Sequence, residues 1–377
     1  MAIIFYSRLI DFDQFPKEMP LKLGLLWLLA IPGVIFVIYS LSDLSFVRGL
    51  AVTFLIFQLY FVGQRILGKF ELGGLENRAV FITGCDSGFG QALAIKLLER
   101  GIPTFAGCLT EKGAENLKHI SKNLSGMLQT IVIDVTSDYS VQRAAKQLDK
   151  ATETYGGLHA LVNNAGIVGS SFFDDLVTAR EYKDVAEVNT FGVIRVTQAM
   201  KHLVKKSKGR IVTMSSICDR VGIMGFGPYS VSKYAVTGYC EVIRQELSFF
   251  DVSVHIIEPG FFKTPMIDAK SVQDRLDTMW KMAPLSTKEE YGDKFYRDSR
   301  ERTAKLLEKI GSPDIHLVVD GYYHAITSRF PRLRYQIGAD AKFFFLPLSL
   351  LPCGLRDAIF RVIDKVSGAP IPASASR

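Results

Sequence analysis

The sequence predicts an α/β fold, a doubly wound parallel sheet with amino-terminal transmembrane segments and a carboxyl-terminal amphipathic helix, on three observations. From residue 79 onward, short runs rich in β-branched residues alternate with longer stretches of helical periodicity, the pattern of a parallel sheet covered on both faces. A glycine-rich turn stands between the first of these runs and its helix, and an uncharged apolar run, 23–41, precedes them all. With 377 residues, 48% of them hydrophobic, the chain can bury one large core with appendages and is too apolar to be disordered. The expected organisation is a membrane anchor over 1–70, an α/β body over 71–340 and an apolar extension over 341–377.

Residues 23–41 read LGLLWLLAIPGVIFVIYSL, long enough at 1.5 Å per residue to reach across roughly 30 Å of hydrocarbon. The run 49–62 is shorter and fits a short span, a re-entrant piece or a buried helix. No basic stretch opens the chain and no small-residue cleavage site follows Leu41, so a retained anchor is expected rather than a cleaved signal. If both runs cross, Arg8, Lys17 and Lys22 share a side with Arg65, Lys69 and Arg78 while the loop between holds only Arg48, a bias that places the body in the cytosol. If only the first crosses, the body lies opposite the amino terminus, and the sequon at Asn123 keeps a lumenal placement open.

Strands are expected over 79–83, 104–108, 130–134, 160–163, 210–215 and 253–258, with a seventh at 334–337 closing one edge. Right-handed crossovers bring their carboxyl ends to one rim, where ligands bind at the switch point. There the segment 83–90 reads TGCDSGFG and runs straight into a helix over 91–99. Glycine allows the unusual φ of such a turn and lets the backbone approach a pyrophosphate at the positive helix end.

Tyr229 and Lys233 are four residues apart, so on a helix a phenol and an ammonium share one face. A phenol of ordinary pKa about 10 serves as proton donor and acceptor near neutrality only if nearby positive charge lowers it, and Lys233 is placed to do so. Ser215 and Ser216 end the strand before this helix, which puts a hydroxyl on the same rim; an ST-turn closing the strand is the plainer reading. Asn189 fits either a bond to a water or the lysine, or satisfaction of helix backbone.

The set TGCDSGFG, Asn163-Asn164-Ala165-Gly166, Asn189, Ser216, Tyr229 with Lys233, and Pro259-Gly260 with Thr264 resembles the short-chain dehydrogenase/reductase family over about residues 77–266. The resemblance implies a Rossmann-like, dinucleotide-binding catalytic body. In it Tyr229 is the acid/base, Lys233 lowers its pKa and binds the nicotinamide ribose, Ser216 polarises the substrate oxygen and Asn189 holds a relay water. Gly84, Ser87, Gly88, Phe89 and Gly90 would cradle the dinucleotide, and Asp134 with Val135 would contact adenine. Asn163, Ala165 and Gly166 would line the adenosine side, and Thr264, after Pro259 and Gly260, would meet the carboxamide. The exact form TGCDSGFG, the stretch 107–113 and the tail RYQIGADAKFFFLPLSLLP are similar to a narrower group of microsomal retinol dehydrogenases, hydroxysteroid dehydrogenases and 3-hydroxybutyrate dehydrogenase.

That group implies NAD ahead of NADP, and Asp86 in the glycine turn agrees, since neither an acidic residue nor an arginine stands at Leu109-Thr110 to decide the matter. The stretch 265–310 is the expected lid, in which Met266, Met279, Trp280 and Met282 suit either a greasy ligand or ordinary packing. In the tail, Leu355, Ala358, Ile359, Val362 and Ile363 recur at helical spacing, fitting a helix that closes the substrate mouth, lies on a membrane or packs on the core.

An apolar alcohol, a retinoid or hydroxysteroid, is thus the expected substrate at an endoplasmic reticulum membrane, against a hydroxy acid such as 3-hydroxybutyrate or a lipid-binding protein without turnover. A homo-oligomer is compatible with the sequence. Nucleic acid is not expected, because the charge of +7 is scattered rather than gathered into a tract. Five dispersed cysteines and six histidines without ligand spacing argue against a disulfide framework or a metal.

Overall fold

The computed structural model describes residues 45–169 and 172–376. Its centre is a seven-stranded, wholly parallel sheet in the order β3-β2-β1-β4-β5-β6-β7. The strands are β1 (Val80–Thr83), β2 (Thr104–Cys108), β3 (Leu128–Val132), β4 (Ala160–Asn163), β5 (Arg210–Met214), β6 (Ser253–Pro259) and β7 (Arg334–Ile337). β1, β2, β4 and β5 are buried at every position, because helices cover both faces and leave no polar side for alternation. Successive side chains still part to opposite faces: Val80 and Ile82 join one core with Leu93, Leu97 and Tyr322, and Phe81 joins the other with Val141, Leu148 and Leu203.

Six of the seven strands lie where the sequence places them, to within a residue at either end. β3 starts two residues early because its pairing with β2 sets Leu128 against Thr104. As an edge strand it is only partly buried, so its apolar pattern is weaker. The order reverses between β1 and β4, and this switch point opens the cleft at the carboxyl ends of the strands.

Helix α1 (Ser45–Leu67) and the residues after it to Leu72 form one compact unit with Ser328–Pro331; the sheet body, including the chain from Arg332 onward, forms the other. Among the described residues no helix is long and apolar enough to cross a membrane. The run 49–62 lies inside α1, which carries Arg48 and Gln58, while Val52, Phe54, Ile56 and Leu59 are exposed. The run 23–41 lies outside the described residues.

At the end of the sheet away from the cleft, two histidines are locked in neutral form. The His159 ring meets Ile326 O at 2.9 Å and Arg78 at 3.3 Å, and burial lowers it to about 4. His255 pairs with Arg332 O at 2.5 Å and Ser253 at 2.8 Å, and burial lowers it to about 3. Unfolded, both rings protonate near their ordinary 6.5, so below that pH the unfolded chain binds protons the folded one refuses, and stability falls as pH falls toward 4. Urea unfolding at pH 5 against pH 7 is therefore expected to show a loss of about 2 kcal/mol per ring. A stability unchanged over that interval would contradict the assignment of neutral rings.

Candidate active site

The glycine turn leads directly into α2 (Gly88–Glu99), three residues earlier than the sequence suggested. Gly84 and Gly88 have φ of +73° and +62°, the left-handed region that a side chain rarely adopts. Ser87 occupies the N-cap without making a side-chain cap bond, whereas α3 (Glu111–Ile120) and α4 (Asp138–Ala151) are capped by Thr110 and Ser137. The first turn of α2 is thus left for an outside acceptor, and an anion suits it. A cavity of about 550 Å³ opens there, lined by Gly84, Ser87, Gly88 and Phe89 at this end.

Gly90 does not line the cavity. A methyl at Gly90 would run into Gly84 O and the Asn164 amide, so this glycine lets the helix pack against the turn. Asn164 joins β4 to the turn, donating to Thr83 O at 3.0 Å and Gly84 O at 3.1 Å, while the Thr83 hydroxyl accepts from the Asn164 and Ala165 amides at 3.1 Å each. Asn163 also lies behind the wall; it is buried, donates to Thr197 at 3.0 Å and leaves its Oδ1 without a partner. Ala165 and Gly166 do line the cavity, and a methyl on Gly166 would come within 3.1 Å of Asn189 Oδ1 and 3.8 Å of Lys233 Nζ.

Asp134 and Val135 line the far end. The Asp134 carboxylate accepts from Thr136 N and Oγ1, and Arg195, itself paired with Glu187 and Asp138, donates to Val135 O at 2.7 Å. In the sequence Asp86 is distinguished by its charge alone. Its carboxylate accepts from Leu109 N at 2.7 Å and from Thr110 N and Oγ1 at 3.1 and 2.9 Å, binding the glycine turn to the loop after β2.

The reactive end is built by β5, the turn after it and α7 (Gly227–Ser248). The Tyr229 side chain is half-buried and faces the cavity. One helical turn on, Lys233 is 2% exposed, donates to Met214 O at 3.0 Å and has its Nζ 5.4 Å from the centre of the Tyr229 ring. Burial lowers the ammonium to about 8, against the pull of Asp219. The expected lowering of the phenol is not what the protein groups produce by themselves. Burial, with Cys218 and Asp219, raises Tyr229 above its ordinary value despite a hydrogen bond with Ser216.

Ser216 lines the cavity and its hydroxyl accepts from Cys218 N at 3.2 Å, so it closes a turn and faces the site at once. Ser215 points away, to Asp219 at 2.7 Å and Thr237 at 2.9 Å. Asn189 lies in the π-helical turn Glu187–Phe191, a form of backbone frequent at functional sites. Its amide pairs with both backbone groups of Ile167 at 2.8 Å and donates to Ser232 at 3.0 Å; Ser232 in turn donates to Tyr229 O at 2.7 Å. Asn189 therefore holds the start of α7 and is not hydrogen-bonded to Lys233.

Opposite Tyr229 runs the loop after β6. Pro259, Gly260 and Thr264 all line the cavity with Phe261 and Phe262. Asp340, which the sequence did not single out, fixes this loop by accepting from Phe261 N at 2.8 Å and filling the space beside Gly260. The uncapped helix start, the left-handed glycines Gly84 and Gly88 and the cavity that runs between Asp134 and Thr264 fit a dinucleotide.

The model of the short chain dehydrogenase family matches residues 78–275. The chain is a short-chain dehydrogenase. It is 45% identical over 288 residues to 17-beta-hydroxysteroid dehydrogenase type 6 of Mus musculus, covering 76% of this chain and 89% of the relative. With retinol dehydrogenase 7 of Rattus norvegicus it shares 44% over 285 residues, 76% of this chain and 88% of the relative. A solved short-chain dehydrogenase/reductase of Burkholderia phymatum, in complex with NAD, shares the fold at a TM-score of 0.58 and 21% identity, covering 74% of this chain and 94% of that one.

In this short-chain dehydrogenase the stretch expected as a lid forms three helices, α8 (Ala269–Met282), α9 (Leu285–Tyr291) and α10 (Asp293–Ile310). Of the residues singled out there, only Met266 lines the cavity. Met279 and Trp280 pack with Phe172, Tyr291 and Phe295 in a cluster of their own, and Met282 is 78% exposed. Helical periodicity marks a buried face without saying what buries it. After Asp340 the tail places Ala341, Phe345 and Leu348 on Ile217, Cys218 and Val221, with Tyr229 against the same cluster. The short-chain dehydrogenase thus uses 341–348 as a wall behind the turn Ile217–Asp219. The last long helix, α13 (Cys353–Val366), instead buries no residue fully and exposes Leu355, Val362, Ile363 and Val366.

Proposed function

We propose that this enzyme interconverts an apolar alcohol, a hydroxysteroid or retinoid, and its carbonyl compound, with NAD as cofactor. The observation that carries the substrate class is the cavity wall around Tyr229: Ile217, Cys218, Phe226, Phe261, Met266 and Ile267. Lys233 is the only cation among the described residues lining the cavity, and its amine is engaged with Met214 O. A carboxylate such as that of 3-hydroxybutyrate would have no partner to offset its desolvation. The names of the relatives, a hydroxysteroid and a retinol dehydrogenase, agree with a greasy alcohol.

In oxidation the carbinol O–H lies against Tyr229 and Ser216; Ser216 donates to the oxygen in both directions, while Tyr229 takes the proton in oxidation and returns it in reduction. When bound, the oxidised nicotinamide supplies the hydride acceptor and a positive charge beside the phenol. Lys233 and Asn189 hold Tyr229 and the backbone around it in place. The preference for NAD is supported by Asp86, whose carboxylate sits at the loop after β2 where a ribose 2′-phosphate would lie. No lysine or arginine lines that end of the cavity among the described residues.

The uncharged run 23–41 and the exposed apolar side chains of α13 support attachment to a membrane, the endoplasmic reticulum on the resemblance, from which such substrates partition. The test is NADH or NADPH formation by the purified enzyme in phospholipid vesicles offered retinol, 17β- and 3-hydroxysteroids and 3-hydroxybutyrate. Turnover of retinol or a steroid, faster with NAD, is expected. Turnover of 3-hydroxybutyrate alone would overturn the substrate class, and cofactor binding without turnover of any would point to a carrier.

A further inference from the structure

Behind the catalytic turn lies an ionic cluster that neither hydride transfer nor cofactor binding uses. Asp219 ends the short turn Ile217–Asp219 that begins at Ser216, and it is 5% exposed. Its Oδ2 accepts from Ser215 at 2.7 Å, from Thr237 of α7 at 2.6 Å and from Arg334 of β7 at 3.1 Å, while its Oδ1 has no partner. Arg334 also pairs with Glu241 at 3.0 Å and with Glu258 of β6. Glu258 is fully buried and takes two bonds of 3.0 Å from Arg220, besides one from Gln336.

Glu258 is thus satisfied on both oxygens, and Asp219 is a second buried carboxyl that shares the Arg334 guanidinium with it. Burial and the charge of Glu258 push Asp219 well above the ordinary carboxylate range, with Arg334 and the two hydroxyls pulling back. A buried oxygen without a partner costs about 1–3 kcal/mol, so fixing the turn is not by itself enough reason to keep a carboxyl there. Its two hydroxyl partners flank the reaction centre: Ser215 directly precedes Ser216, and Thr237 stands one helical turn beyond Lys233 on α7. Asp219 acts electrostatically on Lys233 and Tyr229, and on the neutral thiols Cys218 and Cys240. Tyr234 of α7 also feels it, more weakly than it feels Arg356.

We propose that Asp219 is a positioning residue for proton transfer: it fixes the turn that carries Ser216, and its charge acts from behind on the Tyr229–Lys233 pair. Whenever Asp219 gives up its proton, both the phenol and the ammonium hold theirs more tightly, so the pair releases a proton at higher pH. The inference rests on Tyr229 being the acid/base.

The test compares the pH dependence of kcat/KM for alcohol oxidation in the wild type, Asp219→Asn and Thr237→Val, with thermal midpoints taken alongside. Asp219→Asn removes the charge, and the rising limb is expected to move to lower pH by about half a unit or more. Thr237→Val takes one hydrogen bond from the carboxylate, leaves Asp219 more protonated and gives a smaller shift in the same direction. Limbs that coincide with the wild type in both variants, even where kcat or the thermal midpoint falls, would reduce Asp219 to a structural group. If Asp219→Asn does not fold, the Thr237→Val limb decides. Retained activity in Tyr229→Phe is a separate result that removes the acid/base assignment itself.

Discussion

Replacing Tyr229 with Phe is expected to lower kcat for alcohol oxidation by roughly 10²–10⁴-fold, the usual share of a positioned acid/base. The change removes one oxygen from a half-buried ring at the cavity wall, and the ring still packs beside Phe261 and Ile217. Stability and dinucleotide affinity are expected to stay close to those of the wild type, because the glycine turn, Asp134 and the loop after β6 are untouched. Steady-state rates, cofactor titration by fluorescence and thermal unfolding on the same sample separate these quantities. A rate within a few-fold of the wild type would remove Tyr229 from the reaction; a lost rate together with lost cofactor binding would show that its hydroxyl serves binding rather than proton transfer.

That prediction was legible in the sequence because a spacing of four on a helix is a local property, and so was the glycine turn at the end of β1. The parallel strands were legible because burial on both faces writes them as continuous apolar runs. The supports of the site were not. Arg220 and Glu258 are 38 residues apart, Asp340 reaches the loop after β6 across 79, and Asp219 and Arg334 are 115 apart. No periodicity joins such pairs; only the packing of β5, β6 and β7 side by side does. Met279 and Trp280 show the same limit from the other side, since a stripe buried among neighbouring helices reads like one that faces a ligand. Asn189 leaves a water, the lysine and helix backbone open as partners in the sequence, and the groups it does pair with, Ile167 and Ser232, are brought to it by the fold alone.

Lys233→Met is expected to separate function from stability. The lysine is buried, donates to Met214 O, and is lowered by burial from its ordinary 10.5 to about 8. At pH 7 it is still charged when folded, so the folded state bears a desolvation cost of about 3 kcal/mol that the unfolded chain does not. A thioether of similar length removes that cost and forfeits about 1 kcal/mol for the lost bond to Met214 O. The variant is therefore expected to be as stable as the wild type or more so by urea unfolding at pH 7. Its kcat/KM is expected to fall by about 10²-fold or more and its cofactor affinity to weaken, since the ammonium beside Gly166 and the phenol is gone. Above pH 8 the advantage shrinks, because the wild-type ammonium sheds its proton when folded and the cost disappears. A group that is costly to the fold and indispensable to the rate is placed for chemistry. If the variant instead unfolded far more readily and bound cofactor as before, Lys233 would be a prop for the end of β5, and the site would have to find its positive charge elsewhere.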